Sequence, residues 1–308
     1  MGRIGVYKIN KLLESPRVLL IVSPFSDVPS YATGRFPLGV MYLSSYIKRF
    51  GFATKISDLN AEMSSIKGKD ISSNITQYYL GALKRQIVDY GPLAIGINVF
   101  SSLNFKNSIL ISKLIKRDFK EIPTVLGGIH PTLFPGEILK QYDQIDYIII
   151  GEGEVSFFEL LEILKHRSFG HLHMIDGIAF RENKNIVINK KTKFIFNLDE
   201  LPFPDYEGIN VENYLSKKFD KFHFIGINII TSRSCPNQCN FCSMHFVHGK
   251  TVRTRSVPNV ISEIEFLIKK FRVKYFSFMD DNLTYHKERT LSLFNGIIQK
   301  NIDIRFNA

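Results

Sequence analysis

The chain has 308 residues, 44% of them hydrophobic, 3 cysteines and a formal net charge of +11. That length suggests about two domains, the apolar share supplies proper cores rather than disorder, and no apolar run approaches the roughly 20 residues that span a bilayer. The lysines are scattered (Lys48, Lys84, Lys116, Lys140, Lys165, Lys269) on apparent amphipathic helices, the pattern of solvated faces rather than of a nucleic-acid stripe. Met1 to Val6 carries neither an apolar leader core nor a myristoylation pattern, so a cytoplasmic protein is expected.

Residues up to about 165 read as alternating strand and helix. Arg17 to Val22 is a short, nearly continuous apolar run, as a strand buried on both faces should be. Leu38, Tyr42, Leu43, Tyr46, Ile47 and Phe50 follow at helical spacing, closed by Gly51. Ala53 to Ile56 is a second strand, Tyr79 to Tyr90 a helix, Leu93 to Asn98 a strand, and Ile109 to Ile115 a helix. Pro123 to Leu126 and Tyr147 to Ile150 add two strands, and Val155 to Leu164 a last helix. Such alternation with short connections implies a mostly parallel, doubly wound Rossmann-like sheet. Ligands of these sheets sit over the carboxyl ends of the strands. Four polar or glycine-rich loops emerge there: Ser23 to Gly39, Val99-Phe-Ser101-Ser102, Gly127-Gly128-Ile-His130 and Gly151-Glu152-Gly153-Glu154. Taken together they mark a ligand-binding face, with the glycines letting backbone approach a bulky flat ligand. No Gly-x-Gly-x-x-Gly opens the first helix, which argues against a nicotinamide dinucleotide.

Residues 166 to 223 form a linker in this reading. Asp176 to Arg181 and Asn185 to Ile188 flank a polar tetrapeptide, which suggests a small hairpin. Leu201-Pro-Phe-Pro-Asp205 then breaks regular structure twice, in a segment expected to close over the barrel entrance of the C-terminal part.

The third part, 224 to 308, opens on the apolar run Phe224 to Thr231, a buried strand that delivers a loop holding all three cysteines as Cys235-x3-Cys239-x2-Cys242. A disulfide would leave one cysteine over. A structural zinc could close with His245 or His248 as a Cys3His set. An iron-sulfur cubane wants one ligand per iron, and three cysteines leave one iron open for a ligand that is not protein. Ser256-Val-Pro258 then caps a helix whose apolar residues run from Val260 to Phe271, Tyr275 to Met279 is a strand ending in Asp280-Asp281-Asn282, Leu291 to Ile298 is a helix, and Ile302 to Phe306 starts a third strand. This is βαβαβ, the beginning of a parallel barrel.

The Cys-x3-Cys-x2-Cys spacing after a first strand, with Phe241 just before the third cysteine, resembles the signature of the radical S-adenosylmethionine (SAM) enzymes. The resemblance implies that Cys235, Cys239 and Cys242 hold a 4Fe-4S cluster, that SAM chelates the open iron, and that Phe241 packs near the adenine. It places Asp280, Asp281 and Asn282 near the SAM amino group and ribose, with a helix N-cap as the alternative role. The N-terminal half in turn is similar to the cobalamin-binding domain fused to one large branch of radical SAM proteins, through Phe36-Pro-Leu-Gly39, Leu126-Gly-Gly-Ile-His130 and Asp146 to Glu154. That likeness implies contacts to cobalamin from Ser101, Ser102, Gly127, Gly128, His130, Gly151, Glu152, Gly153 and Glu154. The loop after the first strand has no histidine to ligate cobalt, and His130 is the nearest imidazole, as a ligand or as a structural residue.

The implied function is reductive cleavage of SAM to a 5′-deoxyadenosyl radical and cobalamin-dependent methylation of an unactivated carbon in a small-molecule substrate, with electrons from an external flavodoxin- or ferredoxin-type donor. Three alternatives stay open: a radical SAM enzyme of another reaction type with a vestigial cobalamin domain, a zinc-stabilised binding module, and a non-catalytic remnant. The chain stops within the third strand of such a barrel, so a partial barrel is expected.

Overall fold

The computed structural model describes residues 15–25, 35–64, 75–215 and 226–308. Ser26 in the first loop, Phe224 and Ile225 lie outside the described residues.

The N-terminal half is built on a seven-stranded sheet. β1 (Arg17–Val22) leads to α1 (Leu38–Lys48), β2 (Ala53–Asp58), α2 (Leu59–Ser64), α3 (Ile75–Tyr90) and β3 (Ala94–Asn98). After them come α4 (Phe105–Asp118), β4 (Thr124–Gly127), α5 (Ile129–Leu133), α6 (Pro135–Gln141), β5 (Tyr147–Ile149) and α7 (Glu154–His166). β6 (Ile178–Glu182) and β7 (Asn185–Asn189) complete the sheet, in the order β2-β1-β3-β4-β5-β6-β7. The first five strands run parallel, because each return passes through a helix; β6 and β7 are antiparallel. The expected hairpin is therefore real, but it is the edge of the sheet rather than part of a free linker. It reaches the sheet because Ile178, Ala179 and Phe180 bury completely or nearly so against β5.

Helices cover both faces, as the unbroken apolar strands require. One face carries α1 and α7, with Met41, Ile47, Phe157, Leu160 and Leu161 fully or almost fully buried; the other carries α3, α4 and α6 through Leu83, Ile87, Ile111, Ile115 and Leu139. Each such side chain contributes about 1.5–3 kcal/mol on burial.

A second, smaller sheet follows. α8 (Glu212–Leu215), β8 (Ile227–Ile229), β9 (Ser232–Arg233), α9 (Met244–His248), β10 (Arg253–Thr254) and α10 (Val257–Phe271) precede β11 (Tyr275–Phe278), α11 (Lys287–Gln299) and β12 (Arg305–Asn307). β8, β11 and β12 pair in parallel in the order β12-β11-β8, the start of a barrel. α10 begins as its sequence dictates: Ser256 accepts from the Asn259 N–H, and Pro258 stands in the first turn.

The two halves share one core. The apolar cluster on the α1/α7 face continues through Tyr206 and Tyr214 to Ile227, Ile264, Phe276 and Leu293. Asn228 of β8 accepts from the Phe36 N–H at 2.7 Å, and Phe36 stacks on Tyr214 at 4.6 Å, so Phe36-Pro-Leu-Gly39 meets the barrel half directly. The proline-rich segment lies between α1 and α10. Asp205 binds Ser44 and Lys48, Phe203 lies beside Arg255, and Tyr206 donates to Glu263. Burying those aromatic rings is what draws it inward.

Candidate active site

The cysteine loop starts where β8 ends. Asp280, at the end of β11, accepts from the Thr231 N–H at 3.1 Å, from the Thr231 hydroxyl at 2.8 Å and from the Ser232 hydroxyl. Burial raises its pKa, and the bonds from Ser232 and Thr231 offset that only in part. Asp280 thus fixes the approach to the loop, and the N-cap role considered for this strand end falls to His286, which accepts from the Arg289 N–H. Asp281 is exposed and Asn282 half-buried on the same strand end.

Ser234 then turns the chain with φ +78°, a left-handed conformation that few side-chain-bearing residues adopt. Its hydroxyl donates to the Gly249 carbonyl at 2.6 Å, which ties the two ends of the loop together. Between them all three cysteines are free thiols, Cys239 exposed and Cys235 and Cys242 half-buried. The Cys242 N–H donates to the Cys239 carbonyl at 3.0 Å, so these two share one tight turn. Phe241 is 91% exposed.

Among the described residues no group of three or more His, Cys, Asp or Glu side chains is drawn tightly enough to hold a single metal ion. His248, one of the two imidazoles that could complete a zinc set, places its Nδ1 2.7 Å from Glu152 instead. The Nδ1 of His245, the other, is buried with no hydrogen-bond partner. Three free thiols on one short loop supply three ligands, the number that leaves one iron of a cubane open to a non-protein ligand.

The strand-end face of the first sheet assembles three of the expected loops. Ser101 caps a short turn over Ser102–Asn104, accepting from the Leu103 N–H, while Asn104 accepts from the Ser101 N–H. The Ser102 hydroxyl lies 2.9 Å from His130 Nδ1, and the His130 ring packs on Phe105 at 4.2 Å. Burial lowers the His130 pKa, so the imidazole is neutral at neutral pH. Gly128 has φ +110°, and a Cβ there would stand 2.5 Å from the Val99 carbonyl oxygen; the glycine lets the loops after β3 and β4 touch. Gly127 beside it meets nothing within 4 Å. Thr132 donates to the Gly128 carbonyl and accepts from the Gly151 N–H, which links the loops after β4 and β5. Phe100 is 50% and Leu103 70% exposed on this rim, an apolar surface suited to a flat ligand.

The loop after β5 departs from the expectation. Glu152 and Glu154 were expected to touch a cofactor, but both are buried and turned to the cysteine-bearing half. Glu152 accepts from Arg253 Nη1 at 2.9 Å and Nη2 at 2.5 Å, and Glu154 accepts from Arg233 Nη2 at 2.6 Å. Burial opposes the charge of Glu152, but hydrogen bonds from His248 and Arg253 outweigh it, with Arg233 adding to them, and hold the carboxyl well below the usual range. Gly151, at φ +73°, would bring a Cβ within 3.0 Å of the Val247 carbonyl, so it makes room for α9 rather than for a ligand. Gly153 precedes α7 as its cap. Arg233, Arg253 and His248 carried no local sign of this role; only the acidic Gly-Glu-Gly-Glu run hinted at a cationic partner.

A family model described as a B12 binding domain matches residues 32–161. The chain is 30% identical over 294 residues to an uncharacterized methyltransferase of Pyrococcus horikoshii, covering 95% of this chain and 59% of that protein. It is 27% identical over 290 residues to a cytidylyl-2-hydroxyethylphosphonate methyltransferase of Streptomyces wedmorensis, covering 85% of this chain and 54% of that protein. The chain thus spans somewhat more than half the length of these relatives. Its fold matches the radical SAM methyltransferase TsrM from Kitasatospora setae, solved with cobalamin and a 4Fe-4S cluster bound, with a TM-score of 0.69 and 16% identity over 95% of this chain and 54% of that one. These matches run past the B12 domain and through the cysteine loop, so what is shared is the pairing of the two halves: a B12 binding domain joined to a cysteine-bearing half with the fold seen in that radical SAM methyltransferase.

Proposed function

We propose that this chain carries the cobalamin-binding half and the cluster-binding part of a cobalamin-dependent radical SAM methyltransferase that methylates an unactivated carbon of a small molecule. The observation that carries the reading is the loop of three free cysteines, docked onto a sheet whose strand ends expose an apolar rim. When bound, a 4Fe-4S cluster, SAM and methylcobalamin supply radical generation and a transferable methyl group, with the electron from an external flavodoxin- or ferredoxin-type donor.

The residues of this chain position and shield. Cys235, Cys239 and Cys242 would hold the cluster, and Phe241, with its ring exposed, would be available to pack against the adenine. Asp281 and Asn282 would meet SAM, while Asp280 holds Thr231 and Ser232 so that the loop stands in one place. Ser101, Ser102, Gly127, Gly128 and the neutral His130 would line the cobalamin face, where the exposed Phe100 and Leu103 would exclude water.

The test is anaerobic reconstitution with iron and sulfide, followed by absorption spectra with and without hydroxocobalamin. The cluster band and a shifted cobalamin spectrum are expected, and Cys239→Ala should abolish the first and keep the second. Zinc without sulfide, with His245 as fourth ligand, would refute the reading.

A further inference from the structure

We propose that Glu152 is a positioning residue that closes the base of the cysteine loop from the N-terminal half, so that the loop holds its shape only while the two halves are docked. The proposal rests on the reading of that loop as the cluster site.

A single carboxylate gathers residues from both sides of the loop. Its Oε1 accepts from Arg253 Nη2 and stands 2.7 Å from His248 Nδ1, after the cysteines; its Oε2 accepts from Arg253 Nη1 and lies 3.4 Å from Arg233 Nη1, two residues before Cys235. Arg253 also donates to the His248 carbonyl at 2.9 Å, and Arg233 is held on its other side by Glu154 and lies over the Tyr42 ring at 5.2 Å. Two carboxylates and two guanidiniums are thus buried together with side-chain exposures of 6% or less. Buried charges persist only as a complete set, since removing one leaves its partner uncompensated. The fork of Arg253 on Glu152 is two-pronged, which adds direction as well as attraction. Nothing else on the Gly151 to Glu154 loop needs carboxylates: Gly151 is already packed against the Val247 carbonyl.

The thiols themselves provide a readout that does not depend on a loaded enzyme. Cys239 is exposed and serves as an internal reference, whereas Cys235 and Cys242 are half-buried. The experiment alkylates the full apo chain with iodoacetamide under anaerobic conditions and maps each cysteine by peptide mass. In Glu152→Gln, Cys235 and Cys242 should react faster relative to Cys239 by about tenfold, the change expected when a closed segment opens a larger share of the time. Arg253→Lys, which keeps the charge and loses the fork, should shift the same ratio in the same direction and keeps the test alive should Glu152→Gln fail to fold. After reconstitution, both variants should hold less iron and show an altered electron paramagnetic resonance signal of the reduced cluster. Asp205→Asn is the control, since it weakens a contact to Ser44 and Lys48 of α1, neither of which bonds to the cysteine loop among the described residues. Wild-type alkylation ratios in both loop variants would overturn the proposal, and so would an equal acceleration in Asp205→Asn, which would mean general loosening. Zinc without sulfide in the wild type would remove the cluster reading alone, leaving the alkylation ratios to decide loop closure.

Discussion

Two adjacent glycines should respond in opposite ways to the same methyl group. Gly128 sits at φ +110° and ψ −171°, a region that is essentially glycine-only, and a side chain held there costs about 1–3 kcal/mol. A Cβ would also stand 2.5 Å from the Val99 oxygen and 2.9 Å from its carbon. Those atoms are backbone and cannot rotate away. Val99 is tied to β4 by its N–H to the Gly127 carbonyl at 2.8 Å, and its own carbonyl accepts from the His130 N–H. Relieving such an overlap costs about 1–3 kcal/mol more. Gly128→Ala should therefore destabilise by about 2–6 kcal/mol, read as a lowered urea midpoint with an unchanged slope. It should also weaken hydroxocobalamin binding in an absorption titration, because the loops after β3 and β4 must part. Gly127→Ala has no positive φ and open space, so its change should stay within about 0.5 kcal/mol. A Gly128→Ala protein that unfolds with the wild type, or a Gly127→Ala protein that loses as much, would refute the reasoning.

Other expectations concern the cysteine-bearing half. Asp280→Ala leaves the Thr231 N–H and two hydroxyls without their acceptor and should cost about 2–4 kcal/mol by urea unfolding. Asp281→Ala, at an exposed position, should change stability by less than about 0.5 kcal/mol while lowering SAM retention in equilibrium dialysis of reconstituted protein. The carboxyl of Glu152 is held below its ordinary value of 4.5, because the bonds from His248 and Arg253 outweigh the opposing effect of burial. Its stabilisation is therefore present above pH 4.5 and lost as the pH falls below that. Urea midpoints measured from pH 6 down to about pH 3 should drop less steeply in Glu152→Gln than in the wild type. Equal slopes would mean that the buried set is not what acid breaks.

Much of the fold was legible because it is written in short-range pattern. The continuous apolar run Arg17–Val22 needed both faces covered, and the structure covers them. Ser256 and Pro258 announced the start of α10, and Gly51 the end of α1 at φ +83°. The hairpin of β6 and β7 was legible as a hairpin but not as the sheet edge, since its pairing partner β5 lies about thirty residues upstream and antiparallel order leaves no periodic mark. The partners of the proline-rich segment are not legible for a similar reason: Asp205 finds Lys48 and Ser44 more than 150 residues away.

The cysteine spacing alone determined that three thiols share one loop, and the alternation of strands and helices determined the parallel strands of both sheets and the edge on which their ligand loops stand, because both are properties of neighbouring residues. Only the tertiary structure decided what the charges do. Glu152 meets Arg253 across 101 positions and Glu154 meets Arg233 across 79, and at such distances a carboxylate looks the same whether it will touch a ligand or an arginine. Burial removes that ambiguity, since a charge taken out of water must find its opposite, and here the opposite lies on the other half of the chain.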